Sequence, residues 1–118
     1  MCDVLILDDD FLTRECAREV LQDADLIVEE AANIDEALAV LRRDSGARLL
    51  VADRNLGDEN GHRFAVEASR LSPGMGVIYI SGDLDALRRQ GLSARERTLP
   101  KPFEPETLAA LAREMLHG

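Results

Sequence analysis

Residues 4–10 of the chain read VLILDDD, so four apolar residues are followed at once by three aspartates. A continuous apolar run of this length is typical of a strand that is buried on both faces, as in a parallel sheet. The pattern recurs at residues 49–53, LLVAD, where a second apolar run ends in Asp53. Together the two stretches predict two buried strands whose carboxyl ends deliver carboxylates.

The rest of the chain alternates between strand-like and helix-like patterns. Further apolar runs predict three more strands, at residues 26–28, 77–80 and 98–100. Apolar residues at helical spacing predict helices at residues 13–24, 34–41, 64–71 and 105–115, with a weaker helical stretch at 84–89. Residues 57–61, GDENG, indicate a loop. Five strands alternating with five helices predict an α/β fold: a doubly wound five-stranded parallel sheet with helices on both faces.

The length and composition fit one cytoplasmic domain. A chain of 118 residues is the size of a single domain, and we expect one domain over residues 1–118. Cys2 and Cys16 lack a metal-binding spacing, so we expect reduced thiols. No apolar run approaches the roughly 18 residues of a membrane span, and the N-terminus lacks the basic region of a signal peptide. We therefore expect no membrane contact.

The charge balance argues against direct binding of nucleic acid. The net charge is -9, from 23 acidic and 14 basic residues, so the average field repels phosphate backbones. All of the basic residues are arginines except Lys101. A single ammonium group in such a chain is a candidate for a specific role, although a lone lysine is often only solvated.

Several polar residues follow the predicted strands and would share one edge of the sheet. They are Asp8, Asp9, Asp53, Ser81 and Lys101. Open α/β sheets bind ligands outside the carboxyl ends of their strands. Carboxylates about 4 Å apart repel one another by roughly 4 kcal/mol at an effective dielectric constant near 20, and a divalent cation relieves this repulsion. Ligands that are all oxygen favour Mg²⁺.

The same residues suit phosphoryl transfer. An aspartate can attack phosphorus and form an aspartyl phosphate, while a metal ion, an ammonium group and a hydroxyl hold the transferred group. A simpler interpretation is that the aspartates at 8–10 only end a strand and cap a helix, and that Ser81 belongs to a turn. Capping alone does not require two apolar strands that both end in acids.

These motifs resemble those of the receiver domains of two-component response regulators. LILDDD, which ends at residues 8–10, looks like the acidic pair of that family, and VADRNL around Asp53, with Gly61, looks like its phosphoacceptor motif. Ser81 resembles the switch hydroxyl, and residues 101–103, KPF, resemble the Lys-Pro-Phe signature. The resemblance is collinear over the whole chain.

The resemblance implies a fold and a set of roles. The fold is flavodoxin-like, with strand order 2-1-3-4-5. Asp53 would accept a phosphoryl group from a phosphohistidine on a sensor histidine kinase or histidine phosphotransfer protein. Mg²⁺ would be held by Asp8, Asp9, Asp53 and the main-chain carbonyl of Asn55. Ser81 and Lys101 would bind phosphate oxygens and complete the catalytic group with Asp53.

The resemblance also implies how the switch is timed and read. Asn55 and Asp83 would border the path of the attacking water. Thr98 stands where the family has its switch aromatic, three residues before Lys101, so coupling through a turning ring is not expected here. The chain would catalyse its own phosphorylation and dephosphorylation without being a metabolic enzyme. It would signal to an output protein through a changed interaction surface.

Two other functions are compatible with parts of the sequence. Asp8 and Asp10 mimic the Asp-x-Asp motif of haloacid-dehalogenase-like phosphohydrolases, but Leu12 stands where that motif expects Thr or Val. The chain is also too short for the later acidic pair and cap of those enzymes. A degenerate receiver that only binds partners is the other alternative, and the intact Asp53, Lys101 and acidic pair argue against it.

Turnover of para-nitrophenyl phosphate separates the phosphohydrolase from the receiver. For a receiver we expect no sustained release of nitrophenol in the presence of Mg²⁺. Steady turnover that Asp8→Asn abolishes would instead identify a phosphohydrolase.

Overall fold

The computed structural model describes residues 2–43, 47–53, 55–56, 59–60, 64, 67–68, 70–81, 95–100 and 102–117, with the backbone alone at 55–56, 59–60, 81 and 117. The seven strands are β1 Val4–Leu7, β2 Val28–Ala31, β3 Leu49–Asp53, β4 Asn55–Leu56, β5 Glu59–Asn60, β6 Gly76–Ser81 and β7 Glu96–Pro100. Three helices have described bounds, α1 Phe11–Asp23, α2 Ile34–Arg43 and α3 Pro105–His117. Residues 64, 67–68 and 70–71 are also helical. The helical stretch predicted at 84–89 lies outside the described residues.

Five of the strands form one parallel sheet in the order β2-β1-β3-β6-β7. Counted along the chain, these strands have the order 2-1-3-4-5, so the predicted flavodoxin-like, doubly wound fold is confirmed. The short strands β4 and β5 pair separately as an antiparallel ribbon. The interpretation of residues 57–61 as loop alone was therefore wrong at residues 59 and 60.

The central strands are apolar throughout because both of their faces are covered. Leu5 and Leu7 face a core layer that contains buried residues of α2, whereas Val4 and Ile6 face a layer that contains buried residues of α1 and α3. Residues on β3 alternate in the same way, with Leu50 in the first layer. A strand buried on both sides has no solvent-facing positions to make polar, which explains the uninterrupted apolar runs.

The second strand lies two residues later than the sequence predicts. Residues 26–28 were predicted as the strand, but β2 begins at Val28 and includes Glu29 and Glu30. β2 forms one edge of the sheet and is only half-buried for most of its length, so it tolerates charged side chains. Ile27, which was included for its apolar character, is 60% exposed. Apolar content is therefore a poor guide at an edge strand.

None of the helices in the described part of the chain is both long enough and apolar enough to cross a lipid bilayer.

The two-sided burial of the central strands sets the cost of truncating them. Leu50 is 0% exposed in the middle of β3, whereas Leu12 on α1 is 74% exposed. We expect Leu50→Ala to lower the free energy of unfolding by about 2–5 kcal/mol. The same change at Leu12 should alter it by no more than about 0.5 kcal/mol. Urea denaturation followed by circular dichroism measures both, and equal losses would contradict the described core.

Candidate functional site

Strand register brings two carboxylates to one edge of the sheet. β1 and β3 are parallel neighbours, with Leu7 opposite Ala52, so Asp8 and Asp53 follow side by side. Both residues are almost completely buried, with exposed fractions of 2% and 3%. Asp9, the next residue of the loop, is exposed. The edge therefore holds two buried carboxylates and a third that is open to solvent.

The three carboxylates form a compact acidic cluster. One carboxylate oxygen each from Asp8, Asp9 and Asp53 lie within 4.8 Å of one another. At this separation like charges repel strongly, especially where burial limits screening by water. Three convergent oxygen ligands are suited to a hard divalent cation, which would cancel the repulsion. We call Asp8, Asp9 and Asp53 the acidic cluster.

Asp10, although adjacent, serves the start of α1. Its main-chain N–H donates to Asp8 Oδ1 at 2.8 Å, and its carboxylate accepts a hydrogen bond from the Thr13 hydroxyl. Asp10 is also the residue that precedes the first turn of α1. This arrangement favours Asp9 over Asp10 as the partner of Asp8, which is unlike the Asp-x-Asp pair of a phosphohydrolase.

Arg14 holds the loop that carries the acidic cluster, and sequence reasoning did not identify it. Its Nη1 donates to the main-chain oxygen of Asp8 at 2.8 Å, and its Nε lies 3.6 Å from Glu30 Oε1 on β2. The guanidinium carbon is 5.6 Å from the centre of the Phe11 ring. In the sequence, Arg14 is one of several charged residues between the apolar positions of α1, and nothing there links it to Glu30.

The remaining predicted site residues are located only in part. Ser81 is the last residue of β6 and directly follows Ile80, which lies opposite Asp53, so its backbone is at the same edge. Asn55, two residues after Asp53, begins β4. The position of the Ser81 hydroxyl, like Lys101 and Asp83, lies outside the described residues. The structure thus brings Asp8, Asp9 and Asp53 together and places the backbone of Ser81 near them.

An apolar groove lies between α1 and the segment that follows β7. Its volume is about 470 Å³, and it is lined by Leu12, Thr13, Cys16, Pro102 and Phe103. Phe11 and Leu12 are well exposed at the start of α1, directly after the loop of the acidic cluster. No local pattern in the sequence indicates the groove, because its two sides are 86 residues apart at their closest, from Cys16 to Pro102.

The family of the chain follows from a comparison with known protein families. The family model of the response regulator receiver domain matches residues 4–113. The chain belongs to this family. Its strand order is that of the receiver fold of two-component systems, and its acidic cluster lies at the carboxyl edge of β1 and β3.

Curated relatives include proteins of quite different size. The chain is 29% identical over 115 residues to the uncharacterized transcriptional regulatory protein YbdJ of Bacillus subtilis. The match covers 96% of this chain and 50% of that protein. The chain is 29% identical to the sensor kinase CckA of Brucella abortus, where the match covers 96% of this chain and 12% of the kinase. An uncharacterized 14.6 kDa protein of Leptolyngbya boryana is 31% identical, with 95% of this chain and 88% of that protein covered.

Solved receiver structures have the same fold. A CheY-like receiver domain protein from Methanospirillum hungatei is 26% identical, with a TM-score of 0.81 over 97% of this chain and 92% of that chain. The chemotaxis protein CheY4 of Vibrio cholerae is 28% identical, with a TM-score of 0.81 over 98% of both chains.

We expect the Asp9 carboxylate to lower the stability of the metal-free protein and to contribute to the stability that a bound cation provides. We expect Asp9→Asn to raise the free energy of unfolding of the metal-free protein by about 0.5 kcal/mol, because it removes one like charge from an exposed position. The same variant should lose most of the stabilisation that the wild type gains from MgCl2, since a ligand stabilises only the state that binds it. Urea denaturation with and without MgCl2, at matched ionic strength, measures both effects.

Asp10→Asn is the matched control. The side-chain oxygen of Asn can still accept the hydrogen bond from the Thr13 hydroxyl, and Asp10 lies outside the acidic cluster, so this variant should keep the wild-type response to MgCl2. If Asp9→Asn and the wild type gained equal stability from MgCl2, the acidic cluster would not be a cation site.

Proposed function

We propose that the chain is a phosphorylatable switch in a two-component or phosphorelay pathway. Asp53 accepts a phosphoryl group from a phosphohistidine on a sensor histidine kinase or a histidine phosphotransfer protein. The observation that carries the proposal is the convergence of Asp8, Asp9 and Asp53 within 4.8 Å at the carboxyl edge of a receiver fold. The whole protein's partners remain part of the proposal, because the chain spans only 50% and 12% of two curated relatives.

Asp53 is the nucleophile in this proposal because of its position on β3. It is the last residue of a strand that lies between β1 and β6, and it pairs with Ile80 of β6. One carboxylate oxygen attacks phosphorus and forms the P–O bond of an aspartyl phosphate. The P–N bond to the donor histidine breaks, and the imidazole leaves with its electron pair and takes up a proton. Covalent transfer of this kind divides the reaction into two easier steps.

The donor set fits Mg²⁺, since all of the convergent side-chain ligands are oxygens and histidine is absent from the cluster. Asp8 and Asp9 would hold the ion, together with Asp53 and the main-chain carbonyl of Asn55. When bound, Mg²⁺ supplies positive charge that offsets the repulsion between Asp53 and the incoming phosphoryl oxygens. Because Asp8 is buried, its carboxylate would be a fixed ligand of the ion. Because Asp9 is exposed, the site would remain open to the phosphohistidine donor.

Ser81 and Lys101 hold the phosphoryl oxygens in the proposed reaction. Ser81 ends β6, the strand beside β3, so a hydroxyl there is one strand away from Asp53. Lys101 follows β7, next along the sheet, and is the only lysine in the chain. An ammonium group is a compact charge that can follow the phosphoryl group from donor to acceptor.

The lifetime and the output of the phosphorylated state depend on neighbouring positions. Asn55 and Asp83 border the path of the water that hydrolyses the aspartyl phosphate, so the chain catalyses both gain and loss of the group without metabolic turnover. Thr98 lies on β7 opposite Tyr79, which is fully buried. Because position 98 is a threonine and not an aromatic residue, the output protein would recognise a structural change other than an aromatic ring that turns inward.

Intact mass spectrometry after incubation with acetyl phosphate tests the proposed acceptor. We expect a single phosphoryl adduct that requires both Mg²⁺ and Asp53, and that is absent from Asp53→Asn. Release of inorganic phosphate is measured in parallel, because a short-lived adduct would appear there. If MgCl2 stabilises the protein but neither the adduct nor phosphate release is observed, the chain would be a receiver that signals without phosphorylation. That outcome would contradict the proposal.

Lys101 provides a second test. We expect Lys101→Ala to slow adduct formation by about a hundredfold at saturating Mg²⁺, since one aimed charge on a transferring group has effects of that order. Lys101→Arg should retain part of the rate because it keeps the positive charge but not the compact ammonium. An unchanged rate in Lys101→Ala would remove Lys101 from the phosphoryl site.

A further inference from the structure

We propose that Arg14 is a positioning residue for the acidic cluster, and that it sets the affinity for the divalent cation by fixing the direction of Asp9. The inference rests on the proposed function, because it assumes that the acidic cluster binds a cation. It concerns a residue of α1 that makes no contact with the cation in the proposal.

Arg14 fixes one peptide plane. Its Nη1 donates to the main-chain oxygen of Asp8 at 2.8 Å. This carbonyl and the N–H of Asp9 belong to the same planar peptide unit. The N–H of Asp8 in turn donates to the Ala31 carbonyl of β2 at 3.1 Å. The backbone is therefore held on both sides of Asp8, at the point where Asp9 leaves the strand.

Asp9 is the ligand that depends most on this support. Asp8 and Asp53 are buried among strands, whereas Asp9 is exposed, so packing does little to orient its side chain. Its direction follows from the peptide that Arg14 holds. A ligand that is already oriented loses less conformational freedom when the cation binds, and the affinity is correspondingly higher.

Glu30 and Phe11 hold Arg14 itself. Only 15% of the Arg14 side chain is exposed, its Nε lies 3.6 Å from Glu30 Oε1, and its guanidinium carbon lies 5.6 Å from the Phe11 ring centre. The planar guanidinium can donate to the Asp8 carbonyl and interact with Glu30 at the same time. Lysine has a single ammonium nitrogen and lacks this fixed fork.

The positive charge of Arg14 and its hydrogen bond to the Asp8 carbonyl have opposite effects on the affinity for a cation. A positive charge beside the acidic cluster repels an incoming cation, so on charge alone its removal would tighten binding. If Arg14 acts by positioning, its removal weakens binding instead. The sign of the change in cation affinity therefore separates the two effects.

The dissociation constant for Mn²⁺, measured by electron paramagnetic resonance of the free ion, provides the test. We expect Arg14→Met and Arg14→Lys each to raise it by about tenfold, as is usual when a group that orients a metal ligand is removed. Glu30→Gln should raise it by less, because Arg14 keeps its bond to the Asp8 carbonyl. An Arg14→Met protein that bound Mn²⁺ as tightly as the wild type, or more tightly, would overturn the inference.

Arg18→Met is the matched control. Arg18 also lies on α1 and forms ion pairs with Glu15 at 2.6 Å and with Glu30 at 3.6 Å. Its described partners do not include the loop of the acidic cluster, so its loss should leave the Mn²⁺ affinity unchanged. Metal-free urea denaturation of both arginine variants measures any general loss of stability. If the Mn²⁺ affinity and the stability fell together in both Arg14→Met and Arg18→Met, Arg14 would have only a structural role.

A double variant tests whether Arg14 acts through Asp9. In an Asp9→Asn background, Arg14→Met should have little further effect on Mn²⁺ binding, because the group that it positions is already altered. If the effects of Asp9→Asn and Arg14→Met on the free energy of Mn²⁺ binding were additive, the inference would be contradicted. If the wild type itself bound no Mn²⁺, or bound it without needing Asp9, the proposed function would fail along with the inference. Normal binding that is insensitive to Arg14 would overturn the inference alone.

Discussion

Three carboxylates repel one another at one edge of the sheet, and the surrounding strands and loop must hold them together against that repulsion. β1 and β3 are parallel neighbours with Leu7 opposite Ala52, so Asp8 and Asp53, the next residue of each chain segment, start from adjacent positions. Asp9 adds a third negative charge within 4.8 Å. Like-charge repulsion makes the arrangement unfavourable in the isolated protein, and in the proposed function a bound cation relieves it.

The surrounding fold tolerates this repulsion because the strands beneath it are held firmly. The core layers on the two faces of the sheet bury every residue of β1 and β3, and helices cover both layers. The loop above is tied by Asp10, whose N–H donates to Asp8, and by Arg14, which donates to the Asp8 carbonyl. These contacts hold the loop on which Asp8 and Asp9 lie, and so favour the convergence of the three carboxylates although their charges oppose it.

Much of this arrangement can be read from the sequence, and the exceptions have physical reasons. Central strands buried on both faces leave continuous apolar runs, so β1 and β3 and the acids that follow them were predicted at the correct residues. The edge strand β2 carries Glu29 and Glu30 in place of apolar residues and was placed too early. The contact between Arg14 and Glu30 depends on the pairing of β1 with β2, and no local pattern in the sequence encodes it.

In the proposed function Asp53, and no other carboxylate of the acidic cluster, receives the phosphoryl group. Borohydride reduces an aspartyl phosphate to homoserine, so peptide mapping after treatment with acetyl phosphate, Mg²⁺ and borohydride identifies the acceptor residue. We expect homoserine at position 53 and unchanged aspartate at positions 8 and 9. Homoserine at position 8 would contradict it, since Asp8 would then be the nucleophile, as expected of a phosphohydrolase and not of a receiver.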